Sequence, residues 1–99
     1  MGIEYRIRYH KFVKSKDIPA LDGPVKKKLR SIIENKLLVD PLRFGKPLQY
    51  ALAGERSLRV GSYRILYDVD DQGLISVWHI GLRSKAYPTM EKRLKSGWN

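Results

Sequence analysis

The stretch SLRVGSYRILYDV, residues 57–69, predicts two short strands joined by a tight turn at Gly61-Ser62. With a two-residue turn, Arg59 stands directly opposite Arg64 on the neighbouring strand. Like charges that face each other across a strand pair destabilise a hairpin. A bound anion would relieve this repulsion, and phosphate matches the planar fork of a guanidinium group. The pair therefore predicts a phosphate-binding surface.

The residues that follow extend this hairpin into a three-strand meander. Strands are predicted at 56–60, 63–69 and 74–82, with the loop DDQG between the last two. If alternation is kept, one face of the sheet is basic and the other is apolar. The basic face then carries Arg59, Arg64, His79 and Arg83. The apolar face collects Leu58, Val60, Tyr63, Ile65, Tyr67, Trp78, Ile80 and Leu82. A structural alternative is that Glu55 and Asp68 neutralise the two facing arginines as ion-pair partners.

The N-terminal half predicts one strand and two helices. Apolar and polar residues alternate over 3–10, which is typical of a half-buried strand. KFVKSKDIP (11–19) favours a short helix, and LDGPVKKKLRSIIENKLL (21–38) favours a long amphipathic one. YPTMEKRLKSGWN (87–99) suggests only a frayed helical turn. The predicted fold is a single α+β domain over residues 1–99, with helices on one face of an antiparallel sheet.

The charge balance indicates the class of partner. Twenty Lys and Arg residues against ten Asp and Glu give a net charge of +10. Such an excess on a 99-residue domain favours a polyanion, most often nucleic acid. The absence of cysteine excludes thiol chemistry and Cys-based metal sites, and it fits a cytoplasmic protein. No apolar run is long enough to span a membrane, so no membrane partner is expected.

Metal and cofactor chemistry receive little support from the sequence. His10 is the only other histidine that could join His79, and two histidines make a poor metal site. Asp68, Asp70 and Asp71 could hold magnesium in a nuclease, but an acidic stretch that ends in glycine is ordinary turn chemistry. No Walker loop, Rossmann glycine pattern or nucleophile elbow is present, so no cofactor is expected.

LRVGSYRILYDVDD (58–71), followed by ISVWHIGLRSKAYP (75–88), resembles the paired signature of the RelE/ParE toxin superfamily. The preceding segment 22–54 resembles the helix, the D-P loop and the approach to the sheet of that family. The resemblance implies a small twisted antiparallel sheet with two N-terminal helices on one face. It also implies the toxin of a type II toxin–antitoxin pair, with an acidic antitoxin as partner. Members of the RelE branch enter the ribosomal A site and cut mRNA without a metal, whereas members of the ParE branch poison DNA gyrase.

The resemblance assigns roles to individual residues. Arg64 matches the transition-state arginine of the family, and Arg83 and Tyr87 match the arginine and tyrosine that follow the third strand. Glu55 and Ser57 stand where well-studied relatives have lysines, and Leu82 stands where His or Lys is common. Glu55 is a candidate general base by residue type. The candidate RNA-binding residues are Arg56, Arg59, His79 and Lys85. A non-catalytic RNA-binding module that uses the same basic face remains a further alternative.

Overall fold

The computed structural model describes residues 2–98 and shows an α+β fold around a five-stranded sheet. The strands follow the order β1-β5-β4-β3-β2 across the sheet. The three meander strands begin and end at the residues predicted from the sequence. The strands are β1 Arg6–Tyr9, β2 Lys46–Pro47, β3 Arg56–Val60, β4 Tyr63–Val69 and β5 Leu74–Leu82.

The hairpin of β3 and β4 has the predicted register. Arg59 pairs with Arg64, and Val60 pairs with Tyr63 on either side of the turn. Gly61 in that turn has a φ of 59°, a conformation that glycine adopts without steric cost. The two guanidinium-bearing positions therefore oppose each other as the turn chemistry requires.

The first strand departs from the prediction of an entirely antiparallel sheet. β1 pairs with β5 in parallel, with Ile7 beside Ile75 and Tyr9 beside Val77. The helices that follow β1 carry the chain across the sheet before the meander begins, and a long crossover of this kind permits a parallel neighbour. The sheet is therefore mixed, with one parallel pair at its edge.

The two N-terminal helical regions cover one face of the sheet, as predicted. The first is a π-helical segment, Val13–Asp17, and the second is α1, Gly23–Ile32, which continues as the π-helical segment Ile33–Leu37. The Oδ1 atom of Asp22 accepts the backbone N–H of Val25 at 3.0 Å, which caps the start of α1. A short helix α2, Pro41–Phe44, then leads into β2. The buried core on this face consists of Val13, Leu29, Ile33, Leu37, Leu58, Val60, Ile65, Tyr67, Ile75, Val77 and Ile80.

The C-terminal helix corrects two predictions. Instead of a frayed turn, α3 runs over Arg83–Ser96 and packs on the second face of the sheet. Helices therefore cover both faces, and the face predicted to be open and basic is partly apolar. Pro88 lies inside α3, where it lacks the N–H that an i→i−4 hydrogen bond would use. Ala86 and Met90 of α3 form a buried cluster with Leu52, Leu66 and Trp78.

A bulge explains why Trp78 is on the side of α3 and not on the predicted apolar face. Leu66 pairs with His79, but the next residue, Tyr67, pairs with Val77. Trp78 is the extra residue in β5, so the alternation of faces shifts at this point. Near the turn, where the register is regular, Arg64 pairs with Gly81 and shares its face with His79, as predicted. No helix in residues 2–98 is both long and apolar enough to cross a bilayer.

Candidate functional site

Arg64 is held in place by neighbours on β3 and α3. Its Nη1 donates to Ser57 Oγ at 3.2 Å, and its guanidinium carbon lies 5.9 Å from the ring centre of Tyr87. The Nε atom is buried without a hydrogen-bond partner within residues 2–98. A guanidinium that is oriented in this way can offer its terminal nitrogens to an anion.

The start of α3 brings two further candidate residues to the same place. Arg83 is the first residue of the helix, and its backbone N–H donates to Ser62 O at 2.9 Å. This bond joins the helix to the hairpin turn. Between the two elements lies an open depression of about 660 Å³. It is lined by Arg59, Gly61, Ser62, Leu82, Arg83, Ser84 and Tyr87. We call these residues together with Arg64 the arginine site.

Three of the candidate RNA-binding residues lie elsewhere. Arg56 uses Nη2 to hold the carbonyl oxygens of Leu42 and Gly45 at 2.8 and 2.6 Å, so its guanidinium supports the loop before β2. Lys85 is exposed and lines a different depression, on the side of α3 that faces the N-terminal helical segment.

His79 is the third of these residues, and it is only 5% exposed. Its Nδ1 lies 3.6 Å from Asp17 Oδ2. Burial lowers the pKa of His79. The charge of Asp17 raises this pKa, and the charge of Arg93 lowers it. The buried position favours a neutral imidazole. His79 is therefore not suited to the RNA-binding role that was predicted for it.

Neither Glu55 nor Asp68 forms a salt bridge with the facing arginines in the described residues, which removes the ion-pair alternative. The register of β3 and β4 places Glu55 opposite Asp68, and Asp68 Oδ2 accepts the indole N–H of Trp78 at 2.7 Å. The salt bridge within residues 2–98 is that of Asp17 with Arg93, and Asp17 also lies beside the neutral imidazole of His79. Arg59 and Arg64 therefore face each other without a neutralising carboxylate in the described part of the chain.

The protonation of Glu55 differs from what a general base requires. Burial, together with the hydrogen bond and the charge of Asp68, raises the pKa of Glu55 to about 8. The carboxyl group is then mostly protonated at neutral pH. Glu55 is therefore better suited to donate a proton than to act as the general base that its residue type suggested.

The acidic residues of the loop between β4 and β5 form a turn. Asp70 Oδ1 accepts the backbone N–H groups of Gln72 and Leu74, each at 2.9 Å. These bonds lower the pKa of Asp70. Among residues 2–98 there is no group of three or more metal-ligating side chains. The loop therefore gives no support to a magnesium site.

Sequence reasoning did not identify the contacts of two serines, Ser57 next to the arginine site and Ser62 within it. Ser57 fixes Arg64, and Ser62 anchors the start of α3 through its carbonyl oxygen. A usable signal for Ser57 was its place opposite Leu66 and two residues before Arg59 on the same strand. The sequence around Ser62 does not predict its contact with Arg83, because that contact depends on the packing of α3.

We expect Arg59→Ala to weaken RNA binding without loss of stability. The side chain is exposed, and its nearest hydrogen bond, to Gly61 O, is long at 3.5 Å. Removal of one of two facing charges should leave the free energy of unfolding unchanged or raise it by a few tenths of a kcal/mol. The salt dependence of binding to single-stranded RNA should decrease by about one phosphate contact.

The measurement pairs urea unfolding with a salt titration of RNA affinity. Lys14→Ala is the control, since it removes one positive charge from an exposed position on the other side of the fold. Clear destabilisation by Arg59→Ala, or an equal salt effect in Lys14→Ala, would contradict the assignment of Arg59 to a phosphate.

Comparisons with known proteins agree with the fold. The model of the ParE toxin of type II toxin–antitoxin systems matches residues 6–87. Toxin RelE of Mycobacterium tuberculosis is 34% identical over 74 residues, which cover 74% of this chain and 76% of that protein.

Solved structures give the same result. A chain in the RelBE2 toxin–antitoxin complex of M. tuberculosis has a TM-score of 0.75 at 30% identity, covering 82% of this chain and 100% of that chain. A mutant of E. coli toxin RelE in the free state has a TM-score of 0.73 at 18% identity, covering 95% and 98%. At that identity the second match concerns the fold alone.

Proposed function

The chain belongs to the RelE/ParE toxin superfamily of type II toxin–antitoxin systems, and we propose that it is a ribosome-dependent endoribonuclease that cuts mRNA in the A site without a metal. The observation that carries this proposal is the arginine site. Arg64 contacts Tyr87 there, and Arg59 and Arg83 line the same depression. A nucleotide phosphate would meet three guanidinium groups and an aromatic ring in one place.

The chemistry follows from the groups available. In metal-free cleavage the 2′-OH of the RNA attacks the adjacent phosphorus, and the 5′-oxygen leaves. Negative charge develops on the phosphorane oxygens, and an oriented guanidinium stabilises it better than a mobile ammonium. Arg64 takes this role because Ser57 and Tyr87 fix its plane. Arg83 binds the scissile phosphate, and Tyr87 stacks on a splayed base.

The ribosome supplies the placement of the mRNA at the site. An arginine is a poor proton donor because its guanidinium group stays protonated in proteins. The placement of the mRNA in a reactive conformation therefore provides a large share of the rate. Free RNA in solution is therefore a poor substrate for this protein.

The test is cleavage of mRNA on programmed ribosomes, at the magnesium concentration that the ribosome itself requires. We expect an upstream fragment that ends in a 2′,3′-cyclic phosphate. A 2′-deoxy nucleotide at the cut position should abolish cleavage, because the nucleophile is then absent. A 5′-phosphate on the downstream fragment would indicate attack by water and would contradict the mechanism.

An antitoxin is the proposed cellular partner. The RelBE2 structure is that of a toxin–antitoxin complex, and the net charge of +10 favours an acidic segment. Expression of the chain alone should stop growth, and a co-expressed acidic antitoxin should restore it. Normal growth at full expression without a partner would count against the toxin activity.

Gyrase is the second candidate target, because the family model that matches is the one described for ParE toxin. The two targets give different products. Gyrase-dependent breaks in DNA, together with intact mRNA on ribosomes, would favour the ParE-type activity. Arg59, Arg83 and Tyr87 line one depression, and Arg64 lies next to Tyr87, an arrangement that favours the ribonuclease.

A further inference from the structure

Two carboxyl groups face each other on the sheet next to the arginine site. Arg56 pairs with Tyr67 across β3 and β4, which places the adjoining residues, Glu55 and Asp68, opposite one another. Side chains directly opposite each other on an antiparallel pair are close neighbours. Two carboxylates at that spacing repel each other, which favours the protonated form of one of them.

The surroundings decide which group holds that proton. Asp68 Oδ2 accepts the indole N–H of Trp78 at 2.7 Å, and such a donor favours the ionised form of Asp68. Glu55 has no comparable donor, and its Oε2 atom is buried without a partner within residues 2–98. The proton therefore belongs on Glu55, which stands as a neutral carboxylic acid beside a fixed carboxylate.

This acid lies close to the group that is assigned to the phosphate. Glu55 and Ser57 are two residues apart, so their side chains share a face of the sheet and are separated by about 7 Å. Ser57 Oγ in turn accepts a hydrogen bond from Arg64. The reaction needs a proton donor for the leaving oxygen, and the arginines of the site are poorly suited to that task.

We propose that Glu55 is the general acid of the cleavage reaction and that Asp68 is the positioning residue that keeps its proton in place. This role rests on the proposed ribonuclease function. The 2′-oxygen forms a bond to phosphorus, and its proton passes to water. The bond from phosphorus to the 5′-oxygen breaks, and that oxygen takes the proton of Glu55. The Glu55 carboxylate then regains a proton from water.

The charged groups around the pair act in both directions. Lys46 on β2 pairs with Ser57 on β3, and Arg64 on β4 donates a hydrogen bond to Ser57 Oγ. Both residues therefore place positive charge on this side of the sheet. Arg8 bonds through its Nε to Ser76, the residue that pairs with Asp68. These cations favour ionised carboxyl groups. Burial of Glu55 and the Asp68 carboxylate oppose them, and the resulting pKa of Glu55 is about 8.

The decisive test replaces the leaving oxygen with sulfur. Thiolate leaves without protonation, so an mRNA with a 5′-bridging phosphorothiolate at the cut position does not need a general acid. On ordinary mRNA in programmed ribosomes, Glu55→Gln should slow single-turnover cleavage about a hundredfold or more. On the sulfur substrate, the single-turnover rate of Glu55→Gln should be within a few-fold of the rate of the parental protein. Equal losses on both substrates would overturn the role and make Glu55 a structural residue.

The pH dependence tests Asp68 separately. Cleavage by the parental protein should fall as the pH rises through about 8, where Glu55 loses its proton. Asp68→Asn lowers the pKa of Glu55 by removing the neighbouring charge, so its activity should fall at neutral pH and recover as the pH is lowered. Glu55→Gln should not recover. Asp71→Asn removes the same charge from the exposed turn and should behave as the parental protein. A pH profile of Asp68→Asn identical to the parental one would contradict the positioning role.

The proton-sharing pair also has a readout that does not depend on cleavage. Carboxyl-carbon NMR of the free protein should show Glu55 titrating near pH 8, and Asp68→Asn should move that titration to lower pH. If the parental protein cuts no mRNA on ribosomes, the proposed function fails and the catalytic role fails with it, whatever the titration shows. If it cuts and Glu55 titrates in the ordinary range of glutamate, only the general-acid role is overturned.

Discussion

Replacement of Arg64 by lysine is expected to reduce mRNA cleavage about a hundred- to a thousandfold while RNA binding is nearly unchanged. Lysine keeps the charge but lacks the planar fork that Ser57 and Tyr87 orient. The loss of one preoriented donor to a developing oxyanion costs about 2.7–4 kcal/mol of transition-state stabilisation. Binding of the phosphate in the ground state depends mostly on charge, which the substitution retains.

The matched control is Arg59→Lys, on the strand directly opposite. Arg59 is exposed and has only a weak contact with Gly61 O, so a lysine there can still reach a phosphate. Single-turnover cleavage on programmed ribosomes, together with RNA affinity, should separate the two variants. Equal rates for Arg64→Lys and the parental protein would assign Arg64 a structural role. Loss of affinity in Arg64→Lys without loss of the chemical rate would assign Arg64 to binding of the RNA and not to the chemical step.

The central hairpin was predictable because its determinants are local. A two-residue turn at Gly61-Ser62 sets the register, and β-branched and aromatic residues alternate with polar ones on either side. The opposition of Arg59 and Arg64 follows from that register alone. The arginine site was thus half predictable before any tertiary contact was known.

The other half depends on contacts between residues far apart in the chain. Only a frayed turn was predicted for the C-terminal segment, yet packing on Leu66 and Trp78 stabilises α3, even with Pro88 inside it. The bulge that moves Trp78 to the side of α3 has no signature in its own sequence, because it reflects the pairing of β4 with β5. The raised pKa of Glu55 likewise arises from burial and from Asp68, a residue on another strand.

The anchor of α3 has consequences for both stability and activity. Arg93 donates from Nη1 and Nη2 to the two oxygens of Asp17 at 2.6 and 3.0 Å, and from Nη1 to Trp78 O at 2.9 Å. Asp17 Oδ2 also accepts the backbone N–H of Ile80 at 3.0 Å. A single carboxylate therefore joins the N-terminal helical segment, β5 and α3. Arg83 and Tyr87 lie on the same helix, so their position depends on this anchor.

We expect Arg93→Met to lower the free energy of unfolding by about 3–5 kcal/mol, because the substitution leaves the buried carboxylate of Asp17 without its partner. The side chains of Arg93 and Asp17 are 8% and 9% exposed, so water cannot replace the lost bonds. Urea unfolding measures the effect.

Lys92→Met is the matched control: it makes the same change at an exposed position of α3 and should alter stability by about 0.5 kcal/mol or less. The double variant Asp17→Asn, Arg93→Met removes both charges and should recover part of the loss, since the uncompensated buried charge is then gone. If Arg93→Met is as stable as Lys92→Met, the ion pair does not anchor α3, and the placement of Arg83 and Tyr87 must come from the apolar contacts of Ala86 and Met90 alone.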